Sequence, residues 1–279
     1  MSLTPTPPLV KLVGAGPGAA DLLTLRAVRA IEWASLLLVD DLVNPDIVAL
    51  ASPQARVIHV GKRGGCQQTP QAFIERLMVR GAQGGERVVR LKGGDPFIFG
   101  RGGEEVQTLR SHGMEVEVIN GITAGLAGVS SLGVPLTHRQ HAQGVVLLTG
   151  HAQAGALATN WGAVAQAASQ LHLTLVIYMG VRELPAIEQG LRQGLADDTP
   201  VAVIQNATLP QQRHAVTVLS DLAAMVLREG LSSPAIVVVG DVLKGLAQAQ
   251  AVACENTGLF EENLEHAWTL NASTSLAAR

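Results

Sequence analysis

Two glycine-rich segments of this 279-residue chain could bring backbone amides close to a ligand. The first, Gly14-Ala15-Gly16-Pro17-Gly18, follows the apolar run Leu9–Val13 and precedes a helical pattern beginning near Thr24. Glycine there permits positive φ and close approach, and a strand-to-helix turn of this kind suits an anion or a nucleotide. It does not meet the dinucleotide fingerprint that a NAD- or FAD-dependent oxidoreductase would need. The third glycine would fall at Ala19, and Pro17 removes an N–H that would face a pyrophosphate. There is no GK[ST] phosphate loop either, and a tight structural turn is the competing reading.

The second segment, RLKGGDPFIFGRGGEE from Arg90 to Glu105, is more informative. Gly93 and Gly94 expose amides, and Asp95 offers a carboxylate to ribose hydroxyls or an amine. Gly102-Gly103 before Glu104-Glu105 starts a helix with acids in its first turn, as its dipole favours. His138 and His141 have HxxH spacing and His151 follows, yet no acidic ligand is near in sequence, so a metal site is not expected. Cys66 and Cys254 lack CxxC spacing and read as free thiols.

The elements that must position these residues follow from the apolar pattern. At 47% hydrophobic and 3% aromatic, the chain suits helices packed on parallel strands, an α/β class with two domains. Strands are expected near Leu9–Val13, Leu36–Val39, Val57–Val60, Arg87–Leu91 and Val116–Ile119, alternating with helices near Leu25–Trp33, Pro70–Arg80, Gly103–Arg110 and Ala124–Leu132. Thr69 before Pro70 resembles an N-cap followed by a first-turn proline. The stretch GVPLTHRQHAQ from Gly133 breaks the periodicity and reads as a linker. A second mainly parallel series is expected beyond it, with strands near Gly144–Thr149, Thr174–Tyr178, Val201–Gln205, Ala215–Val218 and Ala235–Val239. Its helices fall near Trp161–Ser169, Leu184–Gln193 and Leu222–Arg228. The resulting division is a disordered 1–8, domains at 9–136 and 137–245, and a tail at 246–279.

The net charge of −3 argues against general nucleic-acid binding. Residues 1–139 nonetheless hold 14 Lys and Arg against 12 Asp and Glu, so an anionic ligand would be met in the first half. The start MSLTPTPP lacks the order of a secretory signal and no apolar run is long enough to span a membrane, which leads to a cytoplasmic expectation.

VGAGPG with LLTL, LLVDDLV, GKRGG, VVRLKGGDPFIFGRGGEE, NGIT, GVPLTHR, TGH, VIYMG, NATLPQQR and PAIVVVGDV occur in one order over about residues 9–245. In this the chain resembles the tetrapyrrole methylase family, and within it the uroporphyrinogen-III C-methyltransferases. The segment AADLLTL departs from the commoner GDPELLTL. The resemblance implies two α/β domains, usually in a homodimer, with S-adenosylmethionine bound in the cleft between them and no metal. Carried over by motif, the donor site would include Pro17, then Gly93, Gly94, Asp95 and Ile98. Thr123, Ala124, Met179 and Ala207 would complete it, although Met179 also suits a core position and Ala207 stands where relatives have glycine.

The implied reaction methylates uroporphyrinogen III at C-2 and C-7, giving precorrin-2 by way of precorrin-1 in cobalamin or sirohaem synthesis. The pyrrole carbon is itself the nucleophile, so the protein must align the reactants, stabilise positive charge and accept a proton. The resemblance points to Asp40 as proton acceptor, with Asp41 its competitor, and to Lys62 as proton donor or carboxylate clamp. Eight substrate carboxylates call for fixed cations. Arg101 and Arg139 are the main candidates, with Arg63, Lys92 and His138 beside them, and Arg101 could also assist proton removal. His138 could instead simply close the linker. Glu104 would accept hydrogen bonds from pyrrole N–H groups. No dinucleotide-binding domain precedes these motifs, so the chain is expected to stop at precorrin-2.

Overall fold

The computed structural model describes residues 7–61, 70–151 and 158–246. Five strands, β1 (Leu9–Gly14), β2 (Leu36–Val39), β3 (Arg56–His59), β4 (Val88–Lys92) and β5 (Glu115–Ile119), form a wholly parallel sheet in the order β3-β2-β4-β1-β5. Helices cover both faces, which is why β2 and β4 are buried along their whole length. On one face α1 (Leu25–Trp33) and α2 (Pro45–Val48) pack with Val13, Leu37, Val89 and Leu91. On the other, α3 (Gln71–Gln83) and α4 (Gly102–Ser111) pack with Val10, Leu12, Leu38 and Val88.

Local sequence explains the helix starts. Thr24 accepts a hydrogen bond from the Ala27 N–H at the head of α1, and Ala27, Ala30 and Ile31 then recur at helical spacing on its buried face. Asn44 does the same for Asp46, with Pro45 as the first helical residue of α2. That four-residue helix is too short for hydrophobic periodicity to reveal, and it was not expected. At α3, Pro70 stands just before the helix with an extended ψ of 134°, rather than in its first turn. Thr69, Lys62, Arg63, Cys66, Cys254 and most of the expected tail lie outside the described residues.

The second sheet comprises β6 (Gly144–Thr149), β7 (Leu173–Tyr178), β8 (Pro200–Gln205), β9 (Arg213–Val218) and β10 (Ala235–Val239), in the order β6-β7-β10-β8-β9. Here the expectation of mainly parallel strands fails. Only β6 and β7 run parallel, whereas β10 lies antiparallel to β7 and β8, and β9 antiparallel to β8. The reason is connection length: residues 206–212 between β8 and β9 allow a return but not a parallel crossover.

Helices α6 (Trp161–Gln170), α7 (Leu184–Leu191) and α8 (Leu222–Glu229) bury one face of this sheet. The other face is covered by α5 (Ala124–Ser131), through Val129 against Val176, Ile204 and Val238. α5, which precedes the expected division at 136/137, packs on the second sheet.

Glycines allow the loops at the carboxyl edge of the first sheet to touch. A Cβ on Gly14 would lie 2.5 Å from the Gly121 amide nitrogen. Gly14→Ala is therefore expected to destabilise the protein by about 1–3 kcal/mol through overpacking. Gly103→Ala, in α4 with open space around its Cβ position, should be neutral or stabilising by up to about 1 kcal/mol. Urea unfolding of the two variants checks this contrast.

Candidate active site

In a parallel sheet, loops leaving neighbouring strand ends converge at the carboxyl edge, where α/β proteins place ligands. The loops after β1, β2, β4 and β5 meet there. Ala15 N–H donates to Lys92 C=O (2.7 Å), and Gly16 and Gly94 exchange two backbone hydrogen bonds of 3.2 and 2.7 Å. Asp95, buried beneath this turn, accepts from the Phe97 N–H (2.8 Å), the Asn120 side-chain amide (3.1 Å) and the Gly121 N–H (3.2 Å). Its carboxylate thus ties the β4 loop to the β5 loop.

The second sheet closes over this edge. Tyr178, at the end of β7, shares a 2.8 Å hydrogen bond with the Thr123 hydroxyl and accepts from the Gly125 N–H at 2.9 Å. Burial pushes the Tyr178 phenol up, against the opposing effect of these two hydrogen bonds. Thr208 reaches back across the cleft, its hydroxyl accepting from the Ala19 N–H at 3.1 Å. That contact holds a β-branched residue at φ 66°, an uncommon left-handed conformation. Phe99, Met179 and Asn206 are also left-handed and line the cleft, so backbone strain is concentrated where a ligand would sit.

Between the two sheets lies a cavity of about 650 Å³. Its first-sheet wall includes Gly16, Pro17, Asp40–Asp46, Gly93, Gly94 and Ile98–Gly100. Thr123 and Ala124 stand where the chain crosses, and the opposite wall carries Tyr178, Met179, Asn206, Ala207 and Leu209–Gln211. Its size suits a nucleoside-sized ligand. Bare glycine backbone, apolar side chains and a few polar groups compose its walls.

The description "Tetrapyrrole (Corrin/Porphyrin) Methylases" belongs to a family model that matches residues 10–223. The chain belongs to the tetrapyrrole methylase family. Among its relatives, a uroporphyrinogen-III C-methyltransferase of Pseudomonas aeruginosa is 52% identical over 238 residues, spanning 85% of this chain and 95% of that one. A sirohaem synthase of Azotobacter vinelandii is 50% identical over 236 residues, covering 84% of this chain and 50% of its own. A uroporphyrin-III C-methyltransferase from Thermus thermophilus, solved complexed with S-adenyl homocysteine, superimposes with a TM-score of 0.71 at 38% identity, covering 84% of this chain and 98% of that one.

Of the donor-site residues expected for a tetrapyrrole methylase, Pro17, Gly93, Gly94, Ile98, Thr123, Ala124, Met179 and Ala207 all line the cavity. Asp95 does not, because its carboxylate is engaged by the loops it holds. Asp40 lines the cavity from the end of β2, and so does its competitor Asp41.

The expected substrate cations are more scattered. Arg101 is half-exposed and forked onto Glu104, outside the cavity lining; their hydrogen bond holds the Glu104 carboxyl below its usual range and the guanidinium above its own. Glu104 is therefore occupied by Arg101 in this structure rather than turned to the cavity. His138 and Arg139 are exposed and absent from the lining, with His138 stacked on His141 at 4.7 Å between ring centroids. Lys92 is no surface cation: it is buried and ion-paired with Glu105 at 3.1 Å, and burial first, then the Arg90 charge, lowers its pKa. Among the described residues, no three His, Cys, Asp or Glu side chains gather as a metal site would require.

Sequence reasoning missed Asn120, Tyr178 and the buried Arg90–Glu105 pair. A signal for the pair existed: Arg90 and Lys92 share one face of a central strand, where charges must find partners. Asp95→Ala should cost about 1–2 kcal/mol in the ligand-free protein, because it takes the acceptor from two partly buried backbone donors and the Asn120 amide. Chemical denaturation without ligand measures this, and unchanged stability would leave Asp95 with a ligand role alone.

Proposed function

We infer that this chain transfers the methyl group of S-adenosylmethionine to C-2 and then C-7 of uroporphyrinogen III, giving precorrin-2 by way of precorrin-1. The observation that carries the reading is the cleft itself, in which GAGPG, GGDPFI, GITA, YMG and NAT bring eight of the expected donor-site residues onto one cavity wall or the other. The relatives at about half identity carry the same substrate in their names.

The cavity fits the methyl donor in kind. Gly93 and Gly94 leave backbone bare on one side, and Pro17, Ile98, Ala124 and Met179 supply apolar surface to an adenosine. Bound there, the donor supplies an electrophilic methyl group on a sulfonium. A pyrrole carbon forms the new carbon–carbon bond while the sulfur–carbon bond breaks and its electron pair stays on sulfur, yielding S-adenosylhomocysteine. The methylated carbon becomes quaternary and the ring carries positive charge, which at C-2 and C-7 alike is discharged by loss of a proton from elsewhere in the ring system, such as the pyrrole N–H.

Asp40 is the acceptor we assign. It lies on the cavity wall, its carboxylate is partly exposed, and it follows β2 at the edge where the donor loops meet. Proton donation by Lys62 and carboxylate binding by Arg63, Arg101, Arg139 and His138 rest on the motifs. The product would feed cobalamin or sirohaem synthesis, in a homodimer within the cytoplasm.

Incubating the protein with uroporphyrinogen III and S-adenosylmethionine should give a doubly methylated product by mass spectrometry. Absence of turnover would sink the substrate reading, and a product stopping at one methyl would sink the two-site reading. Asp40→Asn should lower kcat by roughly 10²–10⁴-fold, the range for a general base, with S-adenosylhomocysteine affinity unchanged by calorimetry.

A further inference from the structure

Under the cleft lies a set of buried charges that the methyl-transfer reading leaves unused. Arg90 and Lys92 project from β4 to the face where α3 and α4 pack, among Leu38, Val106 and Leu109. Glu105, on α4, is wholly buried between them. Its Oε1 accepts from Arg90 Nε at 3.2 Å and from the Gln71 side-chain amide at 3.0 Å. Lys92 Nζ stands 3.1 Å from Oε2, an ion pair outside hydrogen-bond geometry.

The rest of the Arg90 guanidinium is also committed. Nη1 donates to Leu91 C=O at 3.2 Å and Leu38 C=O at 3.4 Å, while Nη2 lies 3.3 Å from Asp40 Oδ2. A planar group held along three directions does not rotate. Asp40 Oδ1 meanwhile accepts from the Asp41 N–H at 3.2 Å. Both oxygens of this 37% exposed side chain thereby have partners, Arg90 on the buried side and the neighbouring Asp41 N–H.

Stability alone does not account for this arrangement. Replacing a buried ionic group with apolar side chains of similar volume is often neutral or stabilising, and the neighbours here are already apolar. Of these three buried charged groups, Arg90 also reaches the partly exposed Asp40 carboxylate on the cavity wall.

We propose that Arg90, itself fixed by Glu105, is a positioning residue that sets the orientation of the Asp40 carboxylate in the cleft. This rests on the reading of Asp40 as proton acceptor. Arg90 does not line the cavity and acts through Asp40.

The test is a double-mutant cycle on the full chain, with kcat and KM measured for Asp40→Asn, Arg90→Gln and the two combined. Arg90→Gln should lower kcat roughly 10–100-fold, the cost of a misplaced catalytic group. KM and the Kd of S-adenosylhomocysteine should stay within about twofold. Arg90→Lys, which keeps the charge but not the fork, should recover part of the loss. The double variant should be no slower than Asp40→Asn alone.

Losses that multiply would overturn the positioning role while leaving Asp40 as the base, and so would wild-type kcat in a folded Arg90→Gln protein. Wild-type kcat in Asp40→Asn would remove the proton-acceptor reading and this proposal with it. Should Arg90→Gln fail to fold, Glu105→Gln replaces it, because a neutral amide weakens the charge-assisted hold on Arg90 Nε while still offering it an acceptor. A kcat about 3–10-fold down at constant KM is then expected, and wild-type kcat overturns the proposal.

Discussion

Three backbone segments, after β1, β4 and β5, approach one another so closely that no side chain fits between them. A Cβ on Gly121 would stand within van der Waals overlap of the Gly94 carbonyl oxygen, and one on Gly14 would meet the Gly121 backbone. Their glycines are thus set by sterics as much as by any ligand. Everything in the cleft depends on that contact. It brings Gly16 against Gly94, lets Asp95 reach both Phe97 and Gly121, and sets the bare backbone that forms one wall of the cavity.

The second sheet is fastened to that platform by few polar links at well-chosen points. Tyr178 hydroxyl joins Thr123 and Gly125, and Thr208 hydroxyl joins Ala19, so each rim of the cavity is bound to the opposite sheet. Apolar packing of α5 on β7 and β10 supplies the larger share of the attachment, since it buries Val129 fully with Val176 and Val238. Strained backbone at Phe99, Met179 and Asn206 persists because these contacts determine the surrounding chain on both sides. The cleft is consequently preorganised, which suits a reaction whose main demand is alignment of carbon, methyl and sulfur.

Charge follows a similar division of labour. Arg101 and Glu104 pair at the surface, where water weakens their attraction and their energetic worth is small. Arg90, Lys92 and Glu105 pair inside, where removing one member leaves an unmatched charge at a cost of about 3–5 kcal/mol. The same sixteen-residue run therefore supplies a bare ligand wall, a surface ion pair and a buried anchor.

Much of the fold was legible in the amino-acid order because it is local. Alternation of apolar runs with helical spacing marked α1, β2, β6 and β10 at their observed limits, and glycine motifs marked the loops that line the cavity. Direction and partnership were not legible, because they arise between segments far apart in the chain. Periodicity is the same for parallel and antiparallel strands, so the opposite direction of β9 and β10 relative to β6, β7 and β8 waited on tertiary pairing. Asp95 reads equally well as a ligand contact or a loop tie until Asn120 and Gly121 are seen beside it, and Lys92 reads as a surface cation until Glu105 is found against it. The sequence by itself determined which residues could do the chemistry; only the packing of two sheets decided which of them face the cleft and which hold it in place.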